Sequence, residues 1–178
     1  MIRYKKADSE KELKQILALQ QQNLKGSISA KEGKDEGFVT VHHDFDLLLR
    51  MNNICPHIIA KDNDEVIGYA LCMDPQFGDE IDVLKPMFNE LKLHSTTFKI
   101  EKFLVMGQVC IDKGYRRQGI FRKLYEKMKE EVIPPFNCII TEVDQNNLRS
   151  LRAHLGIGFK QLSTYHSGGI NWELIALF

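Results

Sequence analysis

Residues 103–132 constrain the chain more than any other stretch. FLVMGQVCID is an apolar, β-branched run of strand character. KGYRRQG follows, and the helical pattern RQGIFRKLYEKMKEEV starts before that polar burst ends. A helix over 117–132 puts Ile120, Leu124 and Met128 on one face, with Phe121, Tyr125 and Val132 widening the stripe. Pro134 and Pro135 prevent its continuation. A strand that feeds directly into an amphipathic helix calls for a sheet with helices packed on it.

The junction itself has a chemistry. A helix N-terminus carries unpaired backbone N–H groups and a partial positive charge, so it suits an anion. Gly119 lets the backbone approach a ligand closely, and Arg116 and Arg117 can add charge-assisted hydrogen bonds. The fit is to a diphosphate presented just after a strand. On these residues alone, a solvated helix start with surface arginines reads equally well. The segment contains neither GxxxxGK[ST] nor GxGxxG, which sets aside the P-loop and the dinucleotide fingerprint.

The remaining chain supplies elements of the same kind. IRYKK reads as a first strand, and Asp8 or Ser9 can cap a helix over EKELKQILALQQQN. Residues 25–41, rich in Gly, Ser and Lys, read as a loop, and DFDLLLRMNN as a second short helix with Asp44 at its start. HIIAKDNDEVIGYALCMD reads as a hairpin turning at Asp62-Asn63-Asp64. VLKPMFNELKL suggests a short helix inside a segment punctuated by Pro75, Gly78 and Pro86. CIITEVD is a strand, and NNLRSLRAHLGIG a helix that Asn146 or Asn147 can cap and Gly156 or Gly158 can end. The last two strands turn at Ser167-Gly168-Gly169. The order is β-α-α-β-β-(insert)-β-α-β-α-β-β, in one domain spanning 1–178 with no repeat and no linker.

Composition excludes several functions. Twenty-four basic residues balance 24 acidic ones, so no long-range field gathers nucleic acid or anionic lipid. Arg116–Glu131 is locally basic but lacks an aromatic platform for bases. Cys55, Cys72, Cys110 and Cys138 show no ligand spacing and read as reduced core thiols; no metal is expected. The N-terminus has no apolar leader and no run spans a bilayer, so a cytoplasmic protein with no membrane partner is expected.

Two motifs together resemble a known family. V-x-I, then RRQGIF, resembles motif A of the GCN5-related N-acetyltransferase (GNAT) superfamily, [QR]-x-x-G-x-[GA], with Phe121 where Gly or Ala is usual. About thirty residues on, NLRSLRAHLGIGF is similar to the family's N-x-x-[SA] segment, with His154 in a slot that commonly holds Tyr. The order of elements is similar from first strand to last. The resemblance implies an α/β (α+β) fold with a mixed, mostly antiparallel central sheet of about seven strands and helices on both faces.

It also implies acetyl-CoA as cosubstrate and acetyl transfer to a primary amine by direct attack. The acceptor would be a small molecule or a peptide, and the protein a monomer or homodimer. Backbone groups of Val109, Cys110 and Ile111 would hold the pantetheine arm, with Gly107 as a plausible bulge. Arg116, Arg117, Gln118, Gly119, Ile120 and Phe121 would hold the diphosphate. Asn147 and Ser150 would bond the pantetheine. His154 is the general-acid candidate, since an imidazole exchanges protons near neutral pH. It reads alternatively as a packed helix histidine. Glu142 and Asp144 share a strand face, and Glu142 is the base candidate; each reads alternatively as a solvated or salt-bridged carboxylate. His43, His57 and His166 read as structural or exposed. Residues 25–56 and 75–100 would wall the acceptor site, where the acidic DPQFGDEID could favour a cation. Trp172 reads as packing. The rival reading is a non-catalytic acyl-CoA-binding or sensing module.

Overall fold

Two nearly continuous buried runs meet at Asn63, whose positive φ (51°) turns Ile58–Asp62 (β2) back into Glu65–Met73 (β3). The computed structural model of the chain describes residues 1–24, 27, 39, 42–133 and 135–178. Seven strands form one mostly antiparallel sheet in the order β1-β2-β3-β4-β5-β7-β6. The others are Ile2–Lys6 (β1), Phe103–Ile111 (β4), Cys138–Asp144 (β5), Lys160–Ser167 (β6) and Ile170–Leu177 (β7). The five α-helices among the described residues are Glu10–Asn23 (α1), Phe45–Ile54 (α2), Lys85–Phe98 (α3), Ile120–Val132 (α4) and Leu148–Leu155 (α5). None is long and apolar enough to cross a membrane.

The chain divides into two compact units: residues 1–73 with 106–131, and residues 74–105 with 132–178. In the first, β1, β2 and β3 pair antiparallel. One face buries Tyr69, Leu71 and Cys110 against Leu13 and Ile16 of α1 and Leu48 of α2. The opposite face receives α4. Gly68 lies beneath it: a Cβ there would be in ordinary contact with Ile120 Cγ2 at 3.5 Å and tight against Cys110 O at 3.3 Å. Ser9 caps α1 by accepting from the Glu12 amide, and Asp44 caps α2 by accepting from the Leu47 amide at 2.7 Å. Glu12 is buried and joins α1 to the sheet through Lys5 and Lys61, each at 2.9 Å. His57 is also buried: its Nε2 donates to Leu48 O and its Nδ1 accepts from the Cys72 amide. Burial drives it down to about 3 and keeps it neutral, a structural role.

In the second unit, β4 and β5 run parallel over Phe103↔Cys138 to Val105↔Ile140, and β7 pairs antiparallel with both β5 and β6. Gly168 and Gly169 both take positive φ in the closing turn. The α3 helix is longer than the periodicity predicts. Pro86 falls in its first turn, where a missing N–H costs no helical bond, and Lys99 closes it in the left-handed region.

The helix after β4 also starts later than predicted. Arg117 (φ 64°) and Gly119 (φ 79°) both lie in the left-handed region, so the helical path opens only at Ile120. The predicted loop at 25–41 lies outside the described residues except 27 and 39, and Pro134 lies outside them too.

Candidate active site

The cradle belongs to the first unit. Asp112 follows β4 and accepts from the Gly114 amide, forming a tight turn over Lys113–Tyr115. Arg116 then folds back on the chain. Its Nε donates to Ile111 O at 3.1 Å and its Nη2 to Asn23 Oδ1 at 2.8 Å. It ties the end of β4 to the end of α1. Arg117, Gln118 and Gly119 are exposed. Left-handed residues interrupt the backbone at Arg117 and Gly119, and turns that mix right- and left-handed residues are a form that can line an anion. Lys123 N–H bonds to Gly119 O and begins the helical ladder, so the dipole of α4 is aimed from Gly119. A Cβ on Gly119 would meet nothing within 4 Å, so the approach is open. Phe121 lays its ring against Tyr125, centroids 5.0 Å apart, so the side chain is engaged along the helix.

The strand leading to the cradle is less covered than its apolar sequence implies. Gly107 is exposed and Gln108, Val109 and Ile111 are half-buried, although β4 is an interior strand. The Cys110 thiol is buried, and burial pushes it up to about 11, so this residue has only its backbone to offer a ligand.

The titratable groups of the second unit differ sharply. Glu142 lies half-buried on β5 and accepts a short hydrogen bond from Tyr165 Oη on β6. Burial raises its pKa to about 7, against the lowering effect of that bond. Tyr165 is pushed far above its ordinary value by burial and by Glu142, with Glu90 of α3 adding to the effect, so it stays a donor. Tyr165 is a residue that sequence reasoning missed. β7 sets the register of both neighbours: Trp172 pairs with Asp144 on one side and with Tyr165 on the other, so Tyr165 stands level with Asp144 and its long side chain crosses diagonally to Glu142.

His154 is 1% exposed. Its Nδ1 donates to Ser150 O at 2.8 Å and its ring stands edge-on to Phe159 at 5.1 Å. Burial lowers it to about 4, so it is neutral near pH 7. That is the geometry of a histidine holding a helix turn. Asn147 Oδ1 accepts from the Ser150 amide and caps α5. The acidic stretch after β3 is used locally: Asp74 accepts from the Gln76 amide, and Asp82 pairs with Lys85. His166 is exposed and bonded to Asn171, and Trp172 donates to Ser167 O.

Comparison with known proteins gives a consistent result. No curated protein matches the chain. Solved structures do. A Drosophila melanogaster polyamine N-acetyltransferase superposes with a TM-score of 0.73 at 10% identity, over 99% of both chains. A chain of the NatC complex bound to Gag peptide and CoA gives 0.65 at 19% identity, over 99% of this chain and 97% of that one. A putative acetyltransferase from Salmonella typhimurium with its cofactor acetyl-CoA gives 0.65 at 14% identity, over 99% and 93%. At such identities these likenesses establish the fold. The family model for the acetyltransferase (GNAT) family matches residues 13–159, which takes in the cradle, Glu142 and α5. The chain therefore belongs to the GNAT family.

Proposed function

We propose that the protein is an N-acetyltransferase that moves an acetyl group from acetyl-CoA to a primary amine of a small-molecule or peptide acceptor. The observation that carries this reading is the cradle: left-handed Arg117 and Gly119 lead into the start of α4, with open space beside exposed Gly119. The amides of Arg117–Phe121 hold the diphosphate, and the Arg117 side chain adds charge. Arg116 braces the cradle from behind. Backbone groups of Val109 and Ile111 take the pantetheine amides. Asn147 keeps its cap on α5 with Oδ1.

Glu142 is the base. An alkylammonium has a pKa of about 10 and must lose a proton before it can attack. A carboxylate with a pKa near 7 is a far better acceptor than one at the ordinary carboxylate value. The neutral nitrogen forms a bond to the thioester carbon, whose π pair moves to oxygen. Glu142 has taken the first proton from the ammonium, and the second, made acidic by the new N–C bond, passes to solvent. Collapse reforms the carbonyl and breaks the C–S bond, and the CoA thiolate takes its proton from solvent. His154 is left a positioning role in α5. The names of the superposing proteins, a polyamine acetyltransferase and a complex with a peptide, support both acceptor classes.

The test is calorimetric titration with acetyl-CoA, followed by CoA release across a panel of polyamines, arylalkylamines and peptide N-termini. Turnover with any member supports the enzyme. Binding without turnover across the panel supports the acyl-CoA-sensing reading instead.

A further inference from the structure

The segment between β3 and β4 folds around a cavity of about 510 Å³ that the acetyl-transfer chemistry leaves unused. Its walls are Pro75, the Gly78–Asp79 step, one side of α3, and Ile100 and Phe103 at the entry to β4. All of these residues belong to the second unit. The volume falls inside the range of about 300–1,000 Å³ typical of small-molecule sites. Phe103 pairs with Cys138, which precedes Glu142 by four residues on β5. That end of the cavity therefore stands about 13 Å along the strand from the base.

The interior is aromatic. Phe88 and Phe103 are half-buried, with centroids 6.2 Å apart and planes tilted by 47°. Leu91 and Ile100 are buried and close the floor. Gly78 makes room for Phe88: a Cβ there would come within 2.7 Å of the ring Cε2 and 2.8 Å of Cζ. Its φ of −59° suits any residue, so the glycine supplies space and not backbone freedom. Side chains serving folding alone would close such a gap, because unfilled apolar space forfeits contacts. A ligand ring against Phe88 and Phe103 makes the offset or edge-on pairs that aromatic groups favour.

The rim carries one uncompensated charge. Lys85 is neutralised by Asp82 at 2.5 Å, and Asp79 also acts on it, so acidic charge gathers at that end. Lys92 stands about 10 Å further along α3 and forms no ion pair among the described residues. The Asn89 side chain, also without a hydrogen bond among them, lies one turn before it on the same helix face. Together they offer an ammonium and an amide N–H pair, donors that suit a carboxylate. Ser95 Oγ is already committed to Lys92 O.

We infer that this cavity binds a small aryl carboxylate, with its ring against Phe88 and Phe103 and its carboxylate on Lys92 and Asn89. The site stands apart from acetyl-CoA binding, and its test needs neither acetyl-CoA nor an acceptor.

The full chain, labelled with 13C at its Leu and Ile methyls, is titrated with 3-phenylpropionate and followed by NMR. The expected result is a saturable shift of the Leu91 and Ile100 signals. Cationic 3-phenylpropylamine is expected to shift them about tenfold more weakly. Lys92→Glu reverses an exposed charge, so the fold is kept, and is expected to weaken 3-phenylpropionate about tenfold. Gly78→Ala displaces the Phe88 ring and is expected to weaken it as well. No shift at Leu91 and Ile100, equal affinity for the amine, or unchanged affinity in Lys92→Glu overturns the inference. A saturable shift confined to other methyls places the carboxylate elsewhere and overturns it too.

Discussion

Glu142 sits where burial and a hydrogen bond act in opposite directions. Burial dominates and raises the carboxyl to about 7, while the Tyr165 hydroxyl favours the ionised form. Two predictions follow at the scale of this residue. First, kcat/KM rises with pH up to about 7 and then levels, because the base must be deprotonated to work. Glu142→Gln removes that limb and lowers kcat by about 10²–10⁴, as measured by CoA release across pH. Second, Tyr165→Phe removes a donor to the carboxylate, so the limb moves to higher pH; a shift to lower pH is the opposite sign and excludes the assigned bond. Glu142 was visible in the sequence as a strand carboxylate. Tyr165 was not, because only the pairing through β7 brings it within reach. His154 was visible as a helix position in a motif, but its depth of burial is a tertiary property that spacing does not carry.

At the scale of elements, the start of α4 decides what the junction can bind. Helical periodicity reaches back to Arg117, yet two positive-φ residues interrupt it, and a pattern of apolar positions contains no information about φ. The same sequence marks Gly119 as special, since glycine takes that region without strain. Arg117 does so at a cost of about 1 kcal/mol. Arg117→Gly is therefore expected to leave thermal stability equal or higher while weakening acetyl-CoA binding about tenfold, the loss of one charge-assisted bond. Scanning calorimetry and titration calorimetry read the two effects separately. The α1 helix makes a different prediction. Burial would push the Glu12 carboxyl up, but the Asp8 amide, Lys5 and Lys61 outweigh it and hold it near about 2. A depressed folded pKa means that its contribution is present above the unfolded value of 4.5 and is lost as pH falls toward 2. Glu12→Ala strands Lys61 in the core and is expected to cost about 3–5 kcal/mol at pH 7 by urea denaturation, with a smaller difference near pH 3. Strands, caps and turns were legible almost to the residue because local chemistry fixes them: Ser9 and Asp44 at helix starts, Asn63 and Gly168-Gly169 in hairpins.

At the scale of the whole molecule, the family and a mixed, mostly antiparallel sheet of about seven strands were readable from two motifs in the right order, whereas the order of the strands comes from their pairing. Less legible were the buried pairing of His43 with Gln20, the hydrogen bond from Tyr69 to Gln108 and the bracing role of Arg116, since all depend on partners distant in sequence. A protein that binds acetyl-CoA only when folded gains stability by mass action, about 2.7 kcal/mol at one hundred times Kd. A rise in Tm with acetyl-CoA, absent with adenine alone, is the expected signature. The most direct measurement is calorimetric titration of acetyl-CoA into wild type and Gly119→Glu. The account predicts a Kd of about 1–10 μM for wild type and no detectable binding for the variant, whose carboxylate fills the open approach and repels the diphosphate. Equal affinity in a folded Gly119→Glu, or no binding by wild type, would contradict it.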